Sequence, residues 1–352
     1  MRSEDIAKLA GVSRSTVSRV LNNYPDIPQR TRDKVLKIIE EYNYEPNTSA
    51  RVLAGKSTNT IGFFVVSLDD QDNMNRIYQN SYFAPFVDAI IDTANAAGYY
   101  VLVHTVYTRE DFIKVKQAFQ QKRIDGGIVV GTRKDIGMVR EISQLDMPFV
   151  LIDYDISEII ENHLDKKHLA VINSMDYEGA YDAMSHLIDL GHSKIAFIGD
   201  GTSNTFSGAQ RFEAYRTALM EHGLPLNETF ILKGDFLKKS AYREVLKLLD
   251  QAELPTAIFS ANDDMALGAL EAFKERGIRV PEDISIVGFD DVPVAAQLNP
   301  SLSSVRLPIY DMSQAAVHKI IEMCQQGTSS FSTTSFPTKL IARESSKSTN
   351  AR

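Results

Sequence analysis

Residues 13–22, SRSTVSRVLN, place two arginines and four hydroxyl side chains beside the apolar Val17, Val20 and Leu21. At helical spacing the apolar three form one buried stripe, and Arg14, Ser15, Ser18, Arg19 and Asn22 face outward. Arginine forks suit base edges and phosphates, while short hydroxyl and amide side chains suit phosphate oxygens, so the chemistry on offer is the reading of duplex DNA. A second polar set lies downstream, at the ends of short apolar runs: Ser67, Asp153, Asp200, Asp235, Asn262 with Asp263, and Asp290 with Asp291. Gathered at one cleft, such carboxylates, amides and hydroxyls suit a polyhydroxylated ligand. Each acid taken singly also fits a helix N-cap or a turn.

The first set needs a compact scaffold. In SEDIAKLAG, Ser3 is expected to cap a helix with acids in its first turn and Ile6, Leu9 and Ala10 on one face, ended by Gly11. Ser13 can cap the second helix, whose N-terminal side chains, Thr16 among them, reach a groove. A third, from Thr31 through Val35, Ile38 and Ile39, closes a small core, giving a helix-turn-helix. After Pro46, Asn47, Ala50 and Leu53 share one face of a short helix ended by Gly55. An exposed leucine there is the kind of wedge that partly unstacks a base step in the minor groove.

Charge agrees with this division. The chain has 352 residues and a net charge of −8, yet residues 1–57 carry ten Lys/Arg against seven Asp/Glu, leaving 28 against 39 for the rest. A basic head on an acidic body suits a head that meets a polyanion.

The second set needs strands that end together. From residue 60, short apolar runs alternate with amphipathic helices: TIGFFVVS, YYVLVHTV, DGGIVVG and PFVLID, then, past an irregular stretch around 154–170, KIAFIGD, TFILKGD, TAIFSAND and ISIVGFDD. All-apolar strands separated by helices mean parallel sheets covered on both faces, here in two doubly wound halves. Ligands of open α/β sheets bind beyond the strands' carboxyl ends.

Other functions are poorly supported. Ala50–Ser57 fits the loose form of a phosphate loop, but a polar segment precedes it and a strand follows, the reverse of the required context. GDGTSN has Asn204 where a dinucleotide fingerprint needs glycine. Asp290 and Asp291 are adjacent on a strand and point to opposite faces, so they cannot flank one glycosidic bond. The seven histidines lack metal spacing and no Gly-x-Ser-x-Gly elbow occurs. Neither a catalytic site, a metal nor a cofactor is expected. A lone cysteine excludes an internal disulfide framework, no apolar run approaches the length of a membrane span, and the N-terminus lacks secretory character. A cytoplasmic protein is expected.

DIAKLAGVSRSTVSRVLNN, RTRDKVLKIIEEYNYEPNTSARVLAGKSTNTIG, ANDDMALGALEAFKERGIRVPEDISIVGFDD and FPTKLIARES, in that order, resemble the LacI/GalR family of bacterial transcription regulators. The resemblance implies a helix-turn-helix domain at 1–46, a hinge helix and linker at 47–58, and an effector-binding and dimerisation domain at 59–343 of the periplasmic-binding-protein type. Its N-subdomain would span about 59–160 and 292–324 and its C-subdomain about 161–291 and 325–343, with a polar tail at 344–352. It implies a homodimer on palindromic operator DNA, Arg14, Ser15 and Arg19 at or near base-reading positions, and Leu53 as the minor-groove wedge. Arg211, Asn262 and Asp290 match residues that hold effectors in sugar-responsive members, and Tyr82, Phe83 and Phe236 match stacking aromatics. With Asp153 these form the expected site for a sugar or sugar phosphate. The chain departs from the family after Asn80, where proline is commoner, and at Ala214, where glycine is commoner. Without leucine heptads at the end, no tetramer is expected. The expected function is thus a repressor of a carbohydrate-utilisation operon; the alternative is a soluble sugar-binding receptor with no DNA role.

Overall fold

A computed structural model describes residues 1–21, 23–44, 57–67, 77, 80–131, 136–199, 205–326 and 330–349. The chain divides into two compact units, Met1–Thr58 and Asn59–Arg352.

In the first unit, helices α1 (Ser3–Ala10), α2 (Arg14–Leu21) and α3 (Gln29–Glu41) enclose a core of Ile6, Ala7, Ala10, Val17, Val20, Val35 and Tyr44. Ser13 caps α2 as expected, its hydroxyl accepting from Thr16 N–H at 3.1 Å. Two details differ from the reading of the sequence. Ser3 is the first helical residue and Arg2 the N-cap, because Asp5 reaches back to accept the Arg2 N–H at 2.8 Å. Leu9 is 46% exposed, and Ala7 joins Ile6 and Ala10 inside in its place.

The second unit holds two six-stranded sheets. Strands β1 (Thr60–Val66), β2 (Tyr100–Val106), β3 (Gly126–Val130), β4 (Phe149–Ile152) and β5 (Leu169–Ser174) lie in the first. Strands β6 (Ile195–Gly199), β7 (Ile231–Lys233), β8 (Ala257–Ser260), β9 (Ser285–Asp290) and β10 (Ser303–Arg306) lie in the second. Strand β11 (Ser332–Phe336) then returns to the first sheet and β12 (Lys339–Ile341) to the second. The orders are β11-β5-β4-β3-β1-β2 and β12-β10-β9-β8-β6-β7, parallel throughout except for the β10–β12 pair. Along β1, Ile61, Phe63 and Val65 enter one core while Phe64 and Val66 enter the core on the opposite face, the signature of a sheet covered on both sides.

These pairings correct the expected subdomain limits. β5 hydrogen-bonds to β4, so the N-subdomain runs to about 174 rather than 160. Residues 292–306 belong to the C-subdomain, because β10 pairs with β9. Residues 332–336, expected in the C-subdomain, pair with β5 in the first sheet. The chain therefore changes sheet three times, near 175, 307 and 337. The supposed tail is also built in: Ser345 is fully buried and donates to Ile286 O at 2.7 Å, and Thr349 N–H reaches Leu190 O at 2.9 Å.

Candidate functional site

On the head, Ser13, Arg14, Ser15, Ser18 and Arg19 are exposed and Thr16 is half-buried. The polar face of α2 is thus turned to solvent while Val17 and Val20 anchor it. Arg14 reaches Glu4 at 3.4 Å, and Arg19 pairs with Asp26 and lies over the Tyr24 ring at 5.4 Å. Exposed ion pairs of this kind hold an arginine's direction but are worth only ~0–1 kcal/mol, so they yield readily to a phosphate or a base. Asn22, Asn47, Ala50 and Leu53 lie outside the described residues, as does Asp200.

In the second unit, the carboxyl ends of β1, β3 and β4 face those of β8 and β9 across a cavity of about 550 Å³, counted to its open mouth. All seven residues expected at the effector site line it. Tyr82 and Phe83 come from the start of helix Phe83–Ala96, Asp153 from the end of β4, and Arg211 from helix Phe206–Glu221. Phe236 follows β7, Asn262 follows β8, and Asp290 ends β9. Ser67, Asn80, Gly131, Thr205 and Ser207 complete much of the wall and were not singled out for a ligand role, apart from Ser67 as a strand end. Gly131 has φ +83°, and a Cβ there would meet Val66 O at 2.5 Å and the Phe83 ring at 2.9 Å, so only glycine lets this turn close behind the aromatic wall.

The centre is a buried ion cluster. Arg211 Nε donates to Asp176 Oδ1 at 2.7 Å, Nη2 forms an ion pair with the same oxygen at 2.6 Å, and Nη1 donates to Ala261 O at 2.5 Å. Its guanidinium lies 3.8 Å from the centre of the Phe289 ring. Burial works against the guanidinium's charge, but Asp176, Asp290 and Asp153 outweigh it and hold Arg211 protonated. Asp290 Oδ1 stands 3.5 Å from Arg211 Nη1, close enough for attraction, yet has no hydrogen-bond partner among the described residues. Burial lifts the Asp290 carboxyl well above the ordinary carboxylate range, with Arg211 opposing. Asp176 carries no polar-end signal in the sequence. It opens the helix Asp176–Asp189 just after β5, a strand missing from the series expected from the sequence.

Two clasps cross between the lobes. Asp153 accepts from Ser207 N–H and Oγ at 3.1 and 2.8 Å, and Asp264 accepts from Ser81 N–H and Oγ at 2.7 and 2.9 Å. Burial pushes Asp153 up to about 6, reinforced by Asp176 and opposed by Ser207. Asn262 is largely committed as a helix cap, its Oδ1 accepting from Met265 N–H at 2.8 Å and its amide reaching Phe236 O only at 3.4 Å. Asp263 turns away from the cavity toward Ser304 and Val292, and burial pushes it up to about 7.

A three-helix head and a two-lobed cleft domain define a class, the DNA-binding transcriptional regulators with a ligand-sensing body. Residues 4–47 match the model of bacterial regulatory proteins of the lacI family and residues 184–346 that of a periplasmic binding protein-like domain. The probable HTH-type transcriptional repressor ExuR of Bacillus subtilis (strain 168) is 34% identical, over 92% of this chain and 91% of its own. Catabolite control protein A of Priestia megaterium is 32% identical, over 97% and 98%. Among solved structures, the lac repressor dimer bound to operator and the anti-inducer ONPF superposes with a TM-score of 0.80 at 26% identity, covering 98% of both chains. The transcriptional regulator CelR-cellobiose complex superposes at 0.72 with 27% identity, covering 98% of this chain and 99% of that one. The chain belongs to the LacI family and is a DNA-binding transcriptional regulator rather than an enzyme. No helix among the described residues is long and apolar enough to cross a membrane.

Proposed function

We propose that this chain is a cytoplasmic, homodimeric repressor of a carbohydrate-utilisation operon, whose grip on a palindromic operator is set by a small sugar-type effector held between the two lobes. Arg14, Ser15 and Arg19 read or approach base edges in the major groove, Ser13, Thr16, Ser18 and Asn22 fix the phosphates, and Asn47, Ala50 and Leu53 form the hinge face that enters the minor groove. Tyr82, Phe83 and Phe236 pack on the sugar ring while Asp153, Arg211, Asn262 and Asp290 take its hydroxyls.

The observation that carries this reading is Asp290 Oδ1, buried in the cavity wall without a hydrogen-bond partner among the described residues. A buried acceptor left unpaired costs about 1–3 kcal/mol, and a ligand hydroxyl removes that cost. Because the wall is drawn from both lobes, an effector binds one lobe arrangement better than another, and only that difference in affinity can reach the head. A coupling of roughly 2–3 kcal/mol changes operator affinity about 30- to 150-fold.

The test is DNA selection with the purified chain from a random duplex pool, followed by titration of the selected duplex against a sugar panel. A palindromic site whose affinity moves at least tenfold with one sugar is the expected result. No preferred sequence, or a preferred sequence indifferent to every sugar that binds, contradicts it.

A further inference from the structure

We propose that Asp264 is a positioning residue for the effector site: its clasp on Ser81 holds the two lobes together from outside the cavity and sets how far the ligand-free chain is already closed. This rests on the cleft being the sensor site and adds the contact that fixes its resting state.

The two clasps are built alike but placed differently. Asp153 and Ser207 both line the cavity, so a ligand hydroxyl competes for the inner clasp. The described residues of the wall include neither Ser81 nor Asp264, so no ligand has to displace the outer one.

The outer clasp is also stronger than its place at the rim suggests. Ser81 is exposed, but Asp264 is 7% exposed. Both of its oxygens accept, Oδ2 from Ser81 N–H at 2.7 Å and Oδ1 from Ser81 Oγ at 2.9 Å, as an ionised carboxylate does. Burial raises the Asp264 carboxyl above its ordinary range, while the two Ser81 donors and Lys238 pull it back toward the charged form. Letting go of Ser81 therefore takes two charge-assisted hydrogen bonds from a largely buried carboxylate. Asp264 lies in the first turn of helix Asp263–Arg276, and Ser81 directly precedes Tyr82, the N-cap of helix Phe83–Ala96. One anion thus serves the positive ends of two helix dipoles, one from each lobe, and favours their approach.

Ser81 carries the grip into the cavity. Its neighbours Asn80, Tyr82 and Phe83 all line the wall, and Asn80 Oδ1 accepts from Tyr82 N–H at 2.9 Å. Ser81 is also where the chain departs from the family, and a proline there, with no N–H and no hydroxyl, could make neither bond.

An effector that touches both lobes and the outer clasp favour the same closed arrangement. Breaking the clasp returns part of the population to the open one, and the apparent affinity for the effector falls with the fraction left closed. Operator affinity without ligand then moves against the direction in which the sugar moves it. Operator affinity at saturating sugar holds, because the ligand closes the lobes in either chain.

The test uses the full chain, its selected operator duplex, and glucose, galactose and mannose with their 2-amino, uronate and 6-phosphate forms. In Asp264→Ala and in Ser81→Pro, which cut the clasp from opposite sides, the sugar that binds wild type should weaken roughly three- to tenfold. Ligand-free operator affinity should shift against the sugar's direction, with the sugar-saturated value unchanged, a split that general damage to the fold would not produce. Asp264→Asn keeps one acceptor oxygen and should fall between. Hydrogen exchange adds a ligand-free reading at the other clasp. The Ser207 N–H, in the first turn of helix Phe206–Glu221, is held by Asp153 across the cleft, so its exchange should quicken in Asp264→Ala. Sugar and ligand-free operator affinities both within about twofold of wild type, or an operator shift in the sugar's own direction, overturn the role of Asp264 and leave the sensor reading standing. Wild type silent to every sugar overturns the sensor reading, and the outer clasp is then decided by the Ser207 amide, whose unchanged exchange overturns it.

Discussion

The two recognition regions solve opposite problems with the same residue types. On the head, Arg14 and Arg19 are roughly half exposed and rest in surface ion pairs. In the cleft, Arg211 is 3% exposed and locked by a hydrogen bond and an ion pair to Asp176. A surface that must meet a polyanion keeps its cations available, because exposed pairs exchange at little cost. A cavity that must recognise one small molecule fixes its cation and spends its hydrogen bonds internally, so that specificity comes from the few polar atoms left over. The contrast means that stability and recognition are coupled in the cleft and nearly separate on the head.

The largest expected effect follows from removing the buried cation. Arg211→Met leaves Asp176, Asp290 and Asp153 facing one another and should cost about 3–5 kcal/mol in urea unfolding. If the loss is under about 1 kcal/mol, the cluster is not preorganised in the way described. Next, Ile6→Ala hollows the head's small core at a cost of about 2–5 kcal/mol. Because the head is a separate unit, hydrogen exchange should rise across residues 1–44 while the melting of residues 59–349 stays put, and a shared loss would contradict that independence. Arg14→Ala or Arg19→Ala should weaken operator binding by about 1–3 kcal/mol and change stability by less than about 1 kcal/mol, the reverse of the Arg211 pattern.

A smaller effect is set by pH. Asp263 and Asp153 have folded values of about 7 and about 6, raised above the ordinary 3.8 by burial. The folded state therefore holds protons that the unfolded state has released, and the stability they confer is complete below the ordinary value and lost as pH rises through 6 to 7. His186 and His192 work the other way, since burial depresses both and their contribution is lost as pH falls. The difference between wild type and Asp263→Asn isolates the acid: wild type should lose about 1–2 kcal/mol more between pH 5.5 and 8. The smallest change is Ser207→Ala, which removes one hydroxyl from a lobe clasp and should cost about 1 kcal/mol, read as a modest fall in melting temperature. Ser81→Ala should behave alike, and a much larger loss in either would show that the clasps are worth more than ordinary hydrogen bonds.

The head was legible because its logic is local. Val17 and Val20 fall on one side of a two-turn helix whatever surrounds it, and Ser13 caps that helix from three residues away. The lobes were half legible. Central strands such as Phe149–Ile152 are apolar on every residue and stand out, whereas β10, SSVR, and β11, STTSF, do not. The latter are strands by virtue of their neighbours, since no apolar run or alternation marks them. Missing them shifted the subdomain limits, because each lies where the chain changes sheet.

Sequence alone determined the apolar stripe of α2, the Ser13 cap, the charge division between head and body, and the polar residues at or just beyond the ends of central strands. These depend on residues close together in the chain, where spacing sets which side chains share a face. Only the tertiary structure decided that Asp176 neutralises Arg211, that Asp153 and Asp264 clasp the opposite lobe, and that Asp263 points away while Asp290 is left facing the cavity. Such pairings join residues between 35 and 183 positions apart, and their energies exist only once burial has removed water from around the charges.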